Sequence, residues 1–168
     1  MIELRSNIWS YHSKESVIVI PTNGTVKKTG ECVMGKGLAL QAKTKYPSLP
    51  KLVGQHIKLN GNTVGYFPEP SLASFPVKWN WYQKADKLLI YRSLKELVYL
   101  VQLLDLNLEG KELLLKPGFQ VYLTRVGCGN GLLDWKDIKP LVEEILTESR
   151  YIVVDRLGGK VVNDQSKL

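Results

Sequence analysis

The sequence predicts one α/β domain, and three observations predict it. Short β-branched apolar runs alternate with amphipathic helical stretches along all 168 residues. No internal repeat, low-complexity segment or linker interrupts them. Hydrophobic content of 44% and charged content of 23% are those of an ordinary globular chain, long enough to bury a real core.

The elements follow in order. Ile2 to Leu4 reads as a short first strand, leading into Ser6-Asn7-Ile8. Val17-Ile18-Val19-Ile20 is a continuous β-branched run closed by Pro21 and the turn pair Asn23-Gly24, the pattern of a strand buried on both faces. A Gly- and Lys-containing loop then enters a helix over Gly37 to Tyr46, stopped by Pro47. A second short helix follows Pro50, which suits a first helical turn. Asn60-Gly61-Asn62 marks a turn. Val64 to Phe67 and Leu72 to Val77 read as strands that could pair. Leu88 to Leu104 carries Leu89, Ile90, Leu94, Leu97, Val98 and Val101 at helical spacing. Phe119 to Leu123 is a strand, Gly127 to Gly131 a glycine-rich loop, Ile138 to Leu146 a helix and Tyr151 to Val154 a final strand. Residues 1–157 are expected to form the domain, with a frayed polar tail over 158–168.

A net charge of +7 points to an anionic partner: nucleic acid, a nucleotide or a phosphorylated surface. The basic residues are dispersed, so solubility and steering of small anions account for the charge equally well. Cys32 and Cys128 lack metal-type spacing, so no metal site or disulfide framework is expected, and reduced cytoplasmic thiols are. MIELRSNIWS has no signal-peptide pattern, and no apolar stretch approaches the ~20 residues that cross a membrane. A cytoplasmic protein without a membrane partner is the expectation.

Two phosphate motifs nearly match and fail. Gly30 to Gly37 resembles G-x-x-x-x-G-K-[ST], but the last position is Gly37, which has no hydroxyl for a nucleotide-bound Mg²⁺. Gly127-Cys128-Gly129-Asn130-Gly131-Leu132 follows a strand but has Leu132 where G-x-G-x-x-G needs its third glycine. Both loops are nonetheless glycine-dense, follow a buried strand and precede a helix. That arrangement lets backbone N–H groups and a helix N-terminus converge on phosphate oxygens. Two such loops at strand C-terminal ends suit a diphosphate; tight turns needing positive φ would give the same glycines.

Val19-Ile20-Pro21-Thr22-Asn23, Val33-Met34-Gly35-Lys36-Gly37-Leu38-Ala39 and Val126-Gly127-Cys128-Gly129-Asn130-Gly131 resemble the three ligand loops of macro domains, in that family's order and spacing. The nearest subgroup by these residues is the DNA ADP-ribosyl glycohydrolase antitoxins (DarG-type) with the related terminal ADP-ribose glycohydrolases. The resemblance implies a three-layer α/β/α domain with a mixed, mainly parallel sheet, an ADP-ribose site, and no cofactor or metal. It places Asn7 and Ile8 beside the adenine, although Asn7 stands where the family commonly has aspartate and would also serve as a turn residue. It counts Pro21, Thr22 and Asn23 among the ligand residues, with Asn23 hydrogen-bonding the distal ribose. Val33, Met34, Gly35, Lys36 and Gly37 would wrap that ribose and lead toward the diphosphate. Gly127, Cys128, Gly129, Asn130, Gly131 and Leu132 would cover the diphosphate and second ribose from the other side, with Val126 also counted among the ligand residues.

Lys78 is the candidate nucleophile. The resembled glycohydrolases carry a similar Phe-Pro-x-Lys segment, here Phe75-Pro76-Val77-Lys78, whose lysine attacks the anomeric carbon. It must do so as the free amine, so its reference pKa of about 10.4 has to be lowered by burial or a nearby cation. Trp79, Trp81, Phe75 and Lys36 offer both influences; otherwise Lys78 is a strand-end lysine lying over aromatic surface. Where terminal ADP-ribose glycohydrolases place a catalytic aspartate, this chain has Gly131, and Asp134 reads as a helix cap. Cys128 reads as a packed loop thiol, and His12 and His56 as isolated. Trp79, Trp81 and Tyr82 suit stacking on a base or ribose, a lid, or core packing. Three readings follow: a hydrolase freeing ADP-ribose from a macromolecule, nucleic acid among the targets allowed; a non-catalytic ADP-ribose reader; and a basic nucleic-acid-binding module. The sequence leaves the modified target and the oligomeric state open.

Overall fold

The computed structural model describes residues 1–107 and 115–156; the expected polar tail lies outside the described residues. Six strands, β1 (Ile2–Arg5), β2 (Ser16–Thr22), β3 (Gly65–Phe67), β4 (Leu72–Pro76), β5 (Gln120–Leu123) and β6 (Tyr151–Asp155), form one sheet in the order β1-β6-β5-β2-β4-β3. β2 lies inside the sheet, parallel to β4 and β5, and β6 is parallel to β5 and β1. β3 runs antiparallel to β4, with Tyr66 opposite Ala73, so the expected pairing of those two runs is present.

Alternation along the strands creates two cores. Val17 and Val19 of β2 face one side, packed with Phe75, Leu94, Leu97, Ile138 and Val142 of β4, α3 (Lys87–Leu106) and α4 (Trp135–Ile145). Ile18 and Ile20 face the other, packed with Ala42, Leu49 and Val53 of α1 (Gly37–Lys45) and α2 (Leu49–Asn60). Helices therefore cover both faces of a mainly parallel sheet, the three-layer arrangement expected.

Several boundaries move for local reasons. α4 begins at Trp135, a turn before the expected Ile138, because the Asp134 carboxylate accepts from the Lys136 amide. α3 begins on Asp86, whose carboxylate accepts from the Leu88 and Leu89 amides. α2, expected as a short helix with Pro50 in its first turn, runs 12 residues and buries Val53 and Gly54. A β-carbon at Gly54 would collide with the Gly30 carbonyl, so glycine lets the loop after β2 sit directly on α2. A 3₁₀ turn over Ile8–Tyr11, which sequence patterning did not suggest, starts where Asn7 Oδ1 accepts from the Trp9 amide. At the sheet end opposite the glycine loops, Arg150 is buried. Its guanidinium forks onto both carboxylate oxygens of Asp105 at 2.5 and 2.8 Å and donates through Nε to the Phe119 carbonyl at 3.0 Å. This bracket ties the end of α3 to the starts of β5 and β6.

Candidate functional site

In a mainly parallel sheet the C-terminal strand ends open on one edge, where ligands collect. Here the segments after β1, β2, β4, β5 and β6 surround an open cleft of about 1770 Å³. It brings together Lys78 and all the anticipated ligand residues except Val126. Val126 is wholly buried in the core under α3 and α4. Its apolar side chain anchors the base of the second loop, and the expectation of a ligand contact there is corrected.

The loop after β2 is fastened by Asn23. Its Nδ2 donates to the Val33 carbonyl and its Oδ1 accepts from the Thr25 amide, both at 2.9 Å. Cys32 N–H donates to the Pro50 carbonyl at 2.8 Å, and burial pushes the Cys32 thiol up to about 11, an inert packed group. From there the chain turns outward. The amides of Gly35 to Ala39 have no acceptor among the described residues. α1 has no side-chain cap and no acidic residue in its first turn, and its N-cap position is Lys36. The positive end of a helix dipole, a row of free N–H donors and an ammonium all face the cleft, an anion site by construction.

The loop after β5 differs. Gly127 (φ +78°) and Gly131 are buried and structural: a β-carbon at Gly131 would meet Ala85 Cβ at 2.8 Å, and one at Gly127 would press on Ile90. Ala85 N–H donates to the Gly131 carbonyl and Leu133 N–H to that of Gly127. Gly129 is open, with nothing within 4 Å of where a β-carbon would stand, and the same holds for Gly35. Leu132 adopts φ +64°, a left-handed conformation rare for leucine, and holds its side chain out at the cleft 71% exposed. Asp134 caps α4, so this loop does not present a free helix N-terminus as expected; it offers backbone donors, those of Gly129, Asn130 and Gly131 among them.

The loops meet at Lys78. Asn130 Nδ2 occupies the space a β-carbon on Gly37 would need, and the Asn130 carbonyl accepts from Lys78 Nζ at 3.1 Å, with the Trp81 carbonyl at 3.5 Å. Lys78 is half-buried. Burial, and secondarily the Lys36 ammonium, holds its amine below the ordinary 10.5. Trp79, Trp81 and Tyr82 stay exposed, which removes the core-packing reading, and of the three only Trp81 lines the cleft.

The carboxylates on the cleft wall are engaged. Asp134 lies 3.6 Å from Lys136, and Asp155 is 3.5 Å from Arg125. Cys128 is half-buried, its thiol pushed up to about 11 chiefly by burial. His12 bonds the Pro70 carbonyl and His56 the Thr63 segment, neither on the cleft. Among the described residues no three His, Cys, Asp or Glu side chains gather as a metal site. Trp9, Gln41, Arg125 and Asp155 also line the cleft, and sequence reasoning missed them. For Arg125 and Asp155 the signal was present: both sit at C-terminal ends of parallel strands.

No family model matches the chain. It is 28% identical to the DNA ADP-ribosyl glycohydrolase of Mycobacterium tuberculosis over 116 residues, 64% of this chain. The chain spans 30% of the length of the curated relatives it matches. Among solved structures, the macrodomain of Mycobacterium tuberculosis DarG matches with a TM-score of 0.67 and 24% identity, covering 95% of this chain and 99% of that one. Thermosipho africanus DarTG in complex with ADP-ribose matches with a TM-score of 0.64 and 20% identity, covering 90% and 40%. The chain therefore has the fold of a macro domain, and the solved structures it is similar to include macrodomains of the DarG type.

Proposed function

We propose that the cleft binds ADP-ribose and that the chain cleaves it from a modified macromolecule with Lys78 as nucleophile. One observation carries the reading: a helix N-terminus with uncapped amides and a half-buried lysine amine share one cleft, joined by Asn130, whose carboxamide sits at Gly37 and whose carbonyl accepts from Lys78. The first feature suits a diphosphate. The second suits attack on an electrophilic carbon held beside it. A solved structure similar in fold is described as a complex with ADP-ribose, and a curated relative as a DNA ADP-ribosyl glycohydrolase; both support the reading.

The chemistry balances without a further group. The neutral Lys78 amine forms a bond to the anomeric carbon of the distal ribose as the bond to the modified group breaks, and that group leaves with the electron pair. The resulting ammonium adduct gives its proton to the departing group; the nitrogen lone pair then expels the ring oxygen, which takes a proton from water, leaving an open-chain iminium. Water adds to the same carbon, the C–N bond breaks, and ADP-ribose departs with Lys78 restored as an amine. A second reading is a binding module without turnover. It is favoured by one fact: among the described residues both carboxylates on the cleft wall, Asp134 and Asp155, already lie against a cation.

Calorimetry with ADP-ribose, followed by incubation with ADP-ribosylated DNA and ADP-ribosylated protein, separates the readings. Binding at one site per chain with release of ADP-ribose is expected. Binding without release from either substrate selects the module; no binding at millimolar ADP-ribose overturns both.

A further inference from the structure

Lys78 is held from two sides. Its amine donates to the Asn130 carbonyl, and its own backbone carbonyl accepts from Asn62 Nδ2 at 3.0 Å. The carbonyls on either side, of Val77 and Trp79, accept from the backbone amides of Asp86 and Gly24. Of these three carbonyls, that of Lys78 is the one held by a side chain, from the turn after α2.

That side chain is itself set in place. The turn is gripped from α3: the Arg92 guanidinium donates to the Asn62 carbonyl, and Glu96 accepts from the Val64 amide. Arg92 and Glu96 pair with each other at 3.2 Å, and Arg92 lies 5.3 Å from the Trp79 ring centroid. Gly24 leaves room on the other side. A β-carbon there would stand 2.9 Å from the Asn62 carboxamide and 2.8 Å from the Trp79 carbonyl. Asn62 Oδ1 is buried and has no hydrogen-bond partner among the described residues. A turn alone does not call for a carboxamide whose oxygen goes unmatched. The matched half of this group is the donor to Lys78, and Asn62 does not line the cleft.

We infer that Asn62 is a positioning residue for Lys78: fixed by α3 and Gly24, its carboxamide fixes the lysine backbone and so the direction from which the amine enters the cleft. The hold matters because a flexible four-carbon stem carries the amine. Drift of about an ångström at a reacting group costs on the order of a hundredfold in rate. The effect on rate rests on the proposed reading of Lys78 as nucleophile; the hold on the amine does not.

Titration of the amine reports that hold. Burial, and then the Lys36 ammonium, keeps it below the ordinary 10.5. The Asn130 and Trp81 carbonyls that accept from it are neutral. Lys27, Arg125 and Arg156 are further cations of the cleft wall, and Asp134 and Asp155 lie against Lys136 and Arg125. An amine released from this seat regains water, so its midpoint moves up toward 10.5.

The test is the pH dependence of Lys78 acetylation by acetic anhydride on the full chain, read by peptide mass spectrometry. Asn62→Ser keeps a turn residue whose hydroxyl is too short to reach the Lys78 carbonyl. Its midpoint is expected above that of the wild type. Arg92→Met loosens the grip without altering the carboxamide, and should move the midpoint the same way by less. Single-turnover release from ADP-ribosylated DNA or protein should fall on the order of a hundredfold in Asn62→Ser, while ADP-ribose affinity holds. A lower melting temperature with midpoint and rate unchanged makes Asn62 a turn residue and overturns the inference. A midpoint unmoved in both variants does the same. If the wild type binds ADP-ribose but releases none, a raised midpoint in Asn62→Ser keeps the hold on the amine and removes only the nucleophile reading.

Discussion

The loop after β2 hands its chain to a helix whose N-cap position is Lys36, while the loop after β5 hands its chain to a helix capped by Asp134. One helix end is left positive and open; the other is neutralised and closed. Glycine density is the same signal in both. What separates them is the charge and acceptor capacity of one residue at each helix start. The glycines divide within the loops as well as between them: Gly127 and Gly131 are demanded by packing, whereas a side chain at Gly35 or Gly129 would meet nothing within 4 Å.

Lys78, where the two loops converge, should show the largest effect. Lys78→Ala is expected to lower turnover on the order of a thousandfold or more, as loss of a nucleophile does elsewhere. ADP-ribose affinity should change little, because the anion-facing amides are untouched. Lys78→Arg retains the charge but has no free amine at neutral pH, so it should be nearly as inactive. Single-turnover kinetics beside calorimetry check both. Full turnover by Lys78→Ala would remove the lysine from the chemistry.

Paired glycine substitutions come next. Gly131→Val should destabilise the fold by about 3 kcal/mol from overpacking, visible in denaturant melts. Gly35→Val should melt like the wild type and lose ADP-ribose affinity on the order of a hundredfold, because its side chain stands where the ligand must. Equal stability losses in the two variants would erase the division drawn here.

A smaller effect tests the capped helix. Asp134→Ala should cost about 1 kcal/mol of stability, with turnover retained since its carboxylate serves α4. A collapse of turnover at unchanged stability would return Asp134 to the chemistry.

The smallest is a displacement of a pH profile. In the proposed mechanism only the deprotonated Lys78 amine attacks, so the rate should rise with pH, through a midpoint below 10.5. Lys36 is the second influence holding that midpoint down, after burial. Lys36→Gln removes a positive charge, stabilises the protonated amine, and should move the rising limb to higher pH. An unmoved limb would mean the loops do not couple at Lys78.

Much of this was legible in the sequence because it rests on short-range chemistry. The Val17–Ile20 run, the Leu88–Leu104 periodicity and the two glycine loops each declare themselves within a few residues. Lys78 could be placed at a strand end and was given a role only through family resemblance. Less legible was anything set by distant partners. Val126 looks like the rest of its motif, and only the packing of α3 and α4 shows that it faces inward. Arg125 and Asp155 meet across a β5–β6 pairing that no local pattern announces. The closure of α4 by Asp134 was readable as a cap, but its consequence for the second loop needed the geometry of both.

The Arg150–Asp105 bracket and the Lys78 amine give the two ends of the molecule separate sensitivities to pH. The Arg150 guanidinium, through its hydrogen bonds to Asp105, holds that carboxyl below its ordinary 3.8. Stability from this pair is therefore present above the ordinary carboxylate range and is lost as pH falls through the lowered value. The Lys78 amine lies at the other end of the sheet, and the turnover proposed for it should respond on the alkaline side. Acid should loosen the floor of the domain where β5 and β6 begin, whereas alkali should quicken the roof. An Asp105→Asn variant should thus unfold earlier on heating at neutral pH and still keep the wild-type alkaline rate profile for as long as it stays folded.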